Sequence, residues 1–131
     1  MPTGIVPSLT GKALESLMSA TPEFDDVLPR LARLIGTRRG EAAGTSYTKE
    51  LLDAGVERCA RKLGEESIET IVAALGGDRQ ALTREAADLV YHLLVLLESR
   101  QVGLEDVLKE LRSRMGTSGL AEKAARRGGS A

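Results

Sequence analysis

Apolar side chains recur every three or four residues along most of the chain after residue 25, which is the period of an amphipathic α-helix. This period, together with capping residues, Gly and Pro, predicts five helical segments. The first segment begins near Asp25 and Asp26. The other four span about 47–52, 56–75, 79–99 and 104–115. No stretch alternates apolar and polar residues for long enough to form a strand. We therefore expect an all-α fold, an antiparallel helical bundle.

The third and fourth segments carry the most apolar patterns. On a helical wheel, one stripe of the third segment consists of Ile68, Ile71, Val72 and Leu75. The fourth begins after Asp78, a favourable N-cap residue, and is apolar nearly all round over 89–97. A helix of that kind is buried on most sides. One small bundle covers it poorly, so we expect association with a second chain.

Composition sets the limits of this picture. At 131 residues, with 42% hydrophobic and 28% charged residues, the chain fits one globular domain. A net charge of −1 makes nucleic acid a poor partner, and the longest apolar run is too short to span a membrane. Pro and Gly positions favour a leader at 1–22, a helical domain at 23–115 and a tail at 116–131. The single cysteine, Cys59, excludes an intrachain disulfide and suits a cytoplasmic location.

Two acidic clusters, one on each long helix, carry the candidate chemistry. Glu65, Glu66 and Glu69 flank the stripe of the third segment, and Glu85 and Asp88 lie in the fourth. Like charges ~4 Å apart repel by about 1 kcal/mol in water and by about 4 kcal/mol at an effective dielectric constant near 20. A hard divalent cation between the helices offsets this repulsion, and residues three or four apart can reach one ion. The predicted ligands of a Mg²⁺ ion are Glu66, Glu69, Glu85 and Asp88, with Glu65 as a candidate acceptor of the proton of an attacking water.

The acidic clusters also have a simpler explanation than a metal site. Basic residues one turn earlier can pair with Glu65 and Glu66, and most charge runs on helices are solvated faces. The second cluster favours the metal, because Asp88 interrupts an otherwise apolar helix. His92, one turn after Asp88, is either a hydrogen-bonded core group or a support for that carboxylate.

The order of these motifs resembles the all-α nucleoside triphosphate pyrophosphohydrolases, the MazG-like and dimeric dUTPase superfamily. Within it, residues 46–48, 62–66 and 85–94 are similar to phosphoribosyl-ATP pyrophosphohydrolase, the second enzyme of histidine biosynthesis. Residues 118–126 are similar to the C-terminal end of that family. The resemblance covers roughly residues 25–127.

This resemblance implies Mg²⁺-dependent hydrolysis of phosphoribosyl-ATP to phosphoribosyl-AMP and pyrophosphate. It also implies an intertwined homodimer whose helices enclose the sites. The substrate contacts that it implies are Ser46, Tyr47, Thr48 and Lys62, and charge alone suggests Arg38 or Lys49 as phosphate partners. Two alternatives stay open. A house-cleaning hydrolase of free nucleoside triphosphates would use the same acidic chemistry, and a non-catalytic helical adaptor would need no metal.

Overall fold

The computed structural model describes residues 11–12, 22–116 and 126–128. Most of the predicted leader (1–22) and tail (116–131) lies outside the described residues, so these boundaries stay predictions. The described part of the chain contains helices and no strand, which confirms the all-α fold. After a 3₁₀ turn at Pro22–Phe24, the helices are α1 (Val27–Arg38), α2 (Tyr47–Ala54), α3 (Val56–Gly76), α4 (Arg79–Ser99) and α5 (Leu104–Arg114).

The chain divides into two compact units. One comprises residues 26–104 and holds α1 to α4. The other comprises 1–25 and 105–131, and its described part includes the 3₁₀ turn and nearly all of α5. On α5 an i,i+4 ion pair joins Arg114 to Glu110 at 2.9 Å. Within the described residues, no helix is long and apolar enough to cross a membrane.

Local capping sets the ends of the helices that carry the acidic residues. Asp78 accepts hydrogen bonds from two backbone N–H groups at the start of α4, as its position predicts. Gly77, with φ of 78°, ends α3 in the left-handed conformation that favours glycine. Only Gly77 and Asp78 separate the two helices, so α3 and α4 turn back on each other and pack as an antiparallel pair. Asp26 differs from expectation, because its carboxylate pairs with Arg30 at 3.1 Å and caps nothing.

A small apolar core holds the four helices of residues 26–104 together. It consists of Ile35, Leu51, Cys59, Leu94 and Val95. The thiol of Cys59 donates to the carbonyl oxygen of Leu51 at 3.3 Å, and burial raises the pKa of that thiol. Cys59 is therefore a packing residue.

The apolar stripe of α3 lies outside this core. Its members Ile68, Ile71, Val72 and Leu75 are 58% to 84% exposed. The more enclosed face of the same helix runs instead through Cys59, Leu63, Glu66 and Thr70. Within the described residues, this stripe is therefore not covered by the rest of the chain. The helical period identifies the apolar face of α3, but this chain buries the more polar face against its own core.

Candidate metal centre

The acidic residues of α3 and α4 meet between the two helices. One carboxylate oxygen from each of Glu66, Glu85 and Asp88 lies within 4.8 Å of the other two. Glu66 is only 8% exposed, Glu85 is half-buried and Asp88 is exposed, so the group leads from the interior to the surface. Glu85 and Asp88 share one side of α4 because they are three residues apart. The structure thus brings three of the four predicted ligands close enough together to bind one metal ion.

Glu69, the fourth predicted ligand, lies beside this group. Burial raises the pKa of Glu66, and a hydrogen bond with Glu69 and the charges of Glu69 and Asp88 raise it further. The hydrogen bond with Glu69 is the largest cause of the raised pKa of Glu85, followed by burial. Glu66 and Glu85 therefore resist carrying a negative charge beside Glu69 and Asp88.

Two buried carboxylate oxygens of this cluster have no hydrogen-bond donor among the residues that the structure describes. They are Oε2 of Glu66 and Oε2 of Glu85. An ionised carboxylate only accepts hydrogen bonds, and a buried polar atom left unsatisfied costs about 1–3 kcal/mol. A shared proton or a cation can satisfy these oxygens. A donor set made only of carboxylate oxygens is typical of Mg²⁺, Ca²⁺ and Mn²⁺ sites, so the residues present fit a hard divalent cation.

Glu65 points away from the cluster. It is exposed, and its carboxylate accepts a hydrogen bond from Lys62 at 3.0 Å. That hydrogen bond and the charge of Lys62 lower the pKa of Glu65, in contrast to Glu66. The same ammonium lies 3.9 Å from Oε1 of Glu66, so Lys62 borders the cluster. A lowered pKa makes Glu65 a weak proton acceptor.

His92 lies behind Glu66 in the interior. It is 5% exposed, and its Nε2 is 3.9 Å from Oε1 of Glu66. Burial lowers the pKa of His92, so the imidazole is neutral near pH 7. Its ring packs edge-on against Tyr91 and Tyr47, with centroids 4.9 and 6.1 Å away. The carboxylate that His92 faces is thus Glu66 on the other helix, a contact that spacing along α4 does not reveal.

The segment predicted to contact substrate begins α2 beside these rings. The hydroxyl of Ser46 caps the helix by accepting from the backbone N–H of Lys49 at 3.0 Å. The hydroxyl of Thr48 is hydrogen-bonded to the hydroxyl of Tyr91. Tyr47 contacts the ring of His92 and is 46% exposed. Ser46 and Thr48 therefore use their hydroxyl groups in hydrogen bonds within the protein. Tyr47 is the most exposed of the three side chains.

The basic residues suggested as phosphate partners are both engaged within the protein. Nζ of Lys49 donates to the carbonyl oxygen of Arg39 at 2.8 Å and pairs with Asp53 at 2.9 Å. Arg38 pairs with Glu41 at 2.7 Å. A phosphate group would therefore compete with a carboxylate for each of these cations.

The fold and the site together define an all-α protein with a carboxylate cluster shared by two antiparallel helices and suited to a divalent cation. A sequence model of the family described as phosphoribosyl-ATP pyrophosphohydrolase matches residues 28–115. This match spans more than half of the chain. The chain belongs to the phosphoribosyl-ATP pyrophosphohydrolase family.

Curated relatives agree with this family. A phosphoribosyl-ATP pyrophosphatase of Jannaschia sp. (strain CCS1) is 54% identical over 99 residues, which cover 76% of this chain and 97% of that relative. A protein of the same name from Dinoroseobacter shibae is 52% identical over 100 residues, covering 76% and 98%. Another from Ruegeria pomeroyi is 52% identical over 100 residues, covering 76% and 95%. The similarity thus extends over nearly the full length of each of these relatives.

Proposed function

We propose that this protein hydrolyses phosphoribosyl-ATP to phosphoribosyl-AMP and pyrophosphate in histidine biosynthesis. Membership of the family and relatives named phosphoribosyl-ATP pyrophosphatase support the substrate. The observation that carries the chemistry is the pair of buried, unsatisfied carboxylate oxygens of Glu66 and Glu85. A cytoplasmic location is part of the proposal, and the free thiol of Cys59 suits it.

Mg²⁺ is the proposed cofactor. Its proposed ligands are Glu66, Glu69, Glu85 and Asp88. When bound, such an ion polarises a phosphoryl oxygen and offsets the negative charge of a triphosphate. The enclosed position of Glu66 and the packing of α3 on α4 hold the carboxylates in place for it. Glu65, at the edge of the cluster, stays a candidate acceptor of a proton from the attacking water, although its lowered pKa makes it a weak base.

Substrate contacts are proposed for Ser46, Tyr47, Thr48 and Lys62. Tyr47 has open surface next to the cluster, so its ring can pack against the substrate. Lys62 can exchange its exposed partner Glu65 for a phosphate oxygen, a charge-assisted hydrogen bond. Ser46 and Thr48 contribute by fixing the first turn of α2, because their hydroxyls cap it and anchor it to Tyr91.

Substrate choice is the direct test of this function. With Mg²⁺, the purified protein is expected to show a kcat/KM for phosphoribosyl-ATP at least about 100-fold above that for ATP, dUTP and other free nucleoside triphosphates, because polar contacts to the additional phosphoribosyl group discriminate strongly. Initial rates of pyrophosphate release measure this ratio. Preference for a free nucleotide would replace the substrate assignment with the house-cleaning alternative. Absence of pyrophosphate release from every substrate would favour a non-catalytic adaptor.

We infer that two copies of the chain associate through the exposed stripe of α3. Soluble monomers rarely leave large contiguous apolar patches exposed, and the four stripe residues are all more than half exposed. On α4, the apolar residues Val90 and Leu93 are also exposed, by 37% and 40%. A second copy presents the same surface, and twofold homodimers are the commonest oligomers. The resemblance to a dimeric superfamily supports the same partner.

The raised pKa values predict a pH-dependent stability effect in protein treated with EDTA. The pKa of Glu66 in the folded state lies above its ordinary value of 4.5, so the folded state binds the proton more tightly than the unfolded state. The stabilisation from this group is fully present below pH 4.5 and is lost as the pH rises through the raised value. Glu66→Gln cannot ionise, so its thermal midpoint is expected to exceed that of the wild type by a few degrees at pH 8 and to lose this advantage toward pH 4.5.

Thermal scans of both proteins across this pH range measure the effect, and their difference removes contributions from titratable groups that do not contact Glu66. Added Mg²⁺ should reverse the order at pH 8. A ligand at 100 times its Kd stabilises the protein that binds it by about 2.7 kcal/mol, and the variant lacks a ligand. An advantage of Glu66→Gln that is constant from pH 4.5 to 8 would contradict the electrostatic origin.

A further inference from the structure

The hydroxyl of Thr70 contacts the backbone of both acidic helices at the level of the metal centre. Its Oγ1 lies 2.7 Å from the carbonyl oxygen of Glu66 on α3 and 3.1 Å from the carbonyl oxygen of Glu85 on α4. Among the described residues, Glu66 and Glu85 are the two whose buried carboxylate oxygens are unsatisfied. One half-buried side chain thus joins the backbone positions from which the interior carboxylates project.

The two contacts differ in what they do. A hydroxyl has one proton, so Thr70 shares it between the two carbonyl oxygens or alternates between them. The hydrogen bond to the carbonyl oxygen of Glu66 stays within α3 and is common for threonine in helices. The bond to Glu85 crosses to α4 and links the two helices at a defined height. Repulsion among the carboxylates pushes the helices apart at this level, and a polar bond between them opposes that motion.

We propose that Thr70 is a positioning residue for the metal centre, whose hydroxyl fixes the separation and register of Glu66 and Glu85 so that their carboxylates converge. Mg²⁺ tolerates little departure from octahedral geometry, so a small shift of α4 against α3 weakens its binding. Residues that orient metal ligands typically change metal affinity or activity by about 10–100-fold when they are replaced. The consequence for catalysis rests on the proposed function, but the consequence for metal binding does not.

Two substitutions of Thr70 distinguish a role of its hydroxyl in positioning the metal ligands from a role of its side chain in packing. Thr70→Val removes the hydroxyl and keeps the shape of the side chain, whereas Thr70→Ser keeps the hydroxyl. Thr83→Val is the matched control, because Thr83 on α4 donates at 2.8 Å to the carbonyl oxygen of Arg79 in its own helix and is exposed. Calorimetric titration with Mn²⁺ gives the affinity, kinetics of pyrophosphate release give kcat and KM, and thermal scans in EDTA check that each variant is folded.

Thr70→Val is expected to weaken Mn²⁺ binding about 10-fold and to lower kcat at subsaturating metal, with KM for phosphoribosyl-ATP changed by less than about twofold. Thr70→Ser and Thr83→Val should bind Mn²⁺ within about twofold of the wild type. Wild-type affinity in Thr70→Val, or an equal loss in Thr70→Ser or Thr83→Val, would overturn the positioning role. Wild-type protein that binds Mn²⁺ but releases no pyrophosphate would overturn the proposed function, and the titrations would still decide the role of Thr70.

Discussion

Glu66→Gln is expected to lower kcat for pyrophosphate release by about a thousandfold, because stabilisation by a bound metal ion is worth several kcal/mol and about 1.4 kcal/mol corresponds to a factor of ten in rate. Glu66 is the most enclosed carboxylate of the cluster and lies within 4.8 Å of its partners on α4. Glutamine keeps the size of the side chain but removes its charge. It also introduces an NH₂ group where the neighbouring groups are carboxylates. The measurements are initial rates with Mg²⁺ and a calorimetric titration with Mn²⁺, which should show a matching loss of affinity.

Glu57→Gln is the control for this experiment. Glu57 is exposed in the first turn of the same helix, so the substitution makes the same chemical change away from the cluster. Its rate should stay within about twofold of the wild type, as is usual for surface substitutions. A Glu66→Gln variant with more than a tenth of wild-type kcat would show that the cluster is not the centre of the reaction.

The existence of an acidic cluster is predictable from the sequence because helical geometry fixes it. Glu66 and Glu69 are three residues apart on α3, and so are Glu85 and Asp88 on α4. A short connection through Asp78 then requires the two helices to pack side by side. Neither step needs knowledge of the rest of the fold.

Which side chains belong to the acidic cluster is not predictable from the sequence in the same way. Glu65 and Glu66 are neighbours in sequence and about 100° apart on the helix, so only the orientation of α3 decides which of them faces α4. The structure turns Glu66 inward and leaves Glu65 exposed to Lys62. The contact of His92 with Glu66 and the bond from Thr70 to Glu85 likewise cross between helices, where no sequence spacing relates the partners.

The hydroxyl groups of Ser46 and Thr48 show a different limit of prediction from the sequence. Ser46 stands immediately before a helix, where serine is a favoured N-cap, and the structure gives it that role. Family resemblance alone assigns it to the substrate. Thr48 is bonded to Tyr91, a residue 43 positions away. A motif can therefore mark a binding segment while most of its side chains serve the local fold.

The apolar stripe of α3 shows what periodicity leaves open. The pattern of Ile68, Ile71, Val72 and Leu75 indicates a face that water should not contact. It does not indicate whether the same chain or a second copy covers that face. The described residues do not cover it, because the core of residues 26–104 lies on the opposite side of α3. A second copy of the chain is the proposed partner for this face, and a single substitution tests it.

Ile71→Glu is expected to convert the proposed dimer to a monomer. Ile71 lies in the middle of the stripe and is 58% exposed in the single chain, so the charge does not disturb the chain's own core. A twofold axis places the new carboxylate near its copy and among apolar side chains, and such juxtaposition of like charges costs several kcal/mol, which is about a thousandfold or more in the dimer Kd. Light scattering after size exclusion should give 13.9 kDa instead of twice that mass.

Ala54→Glu provides the matched control for the dimer. Ala54 is also exposed, but it is the last residue of α2 and lies outside the stripe of α3. It should remain dimeric and active. The monomeric Ile71→Glu variant should also lose pyrophosphate release, because the proposed ligand Glu69 lies one turn from Val72 of the stripe, and a partner over the stripe would help to enclose it. A folded Ile71→Glu protein that remains dimeric would place the interface elsewhere, and a fully active monomer would show that one chain completes the site.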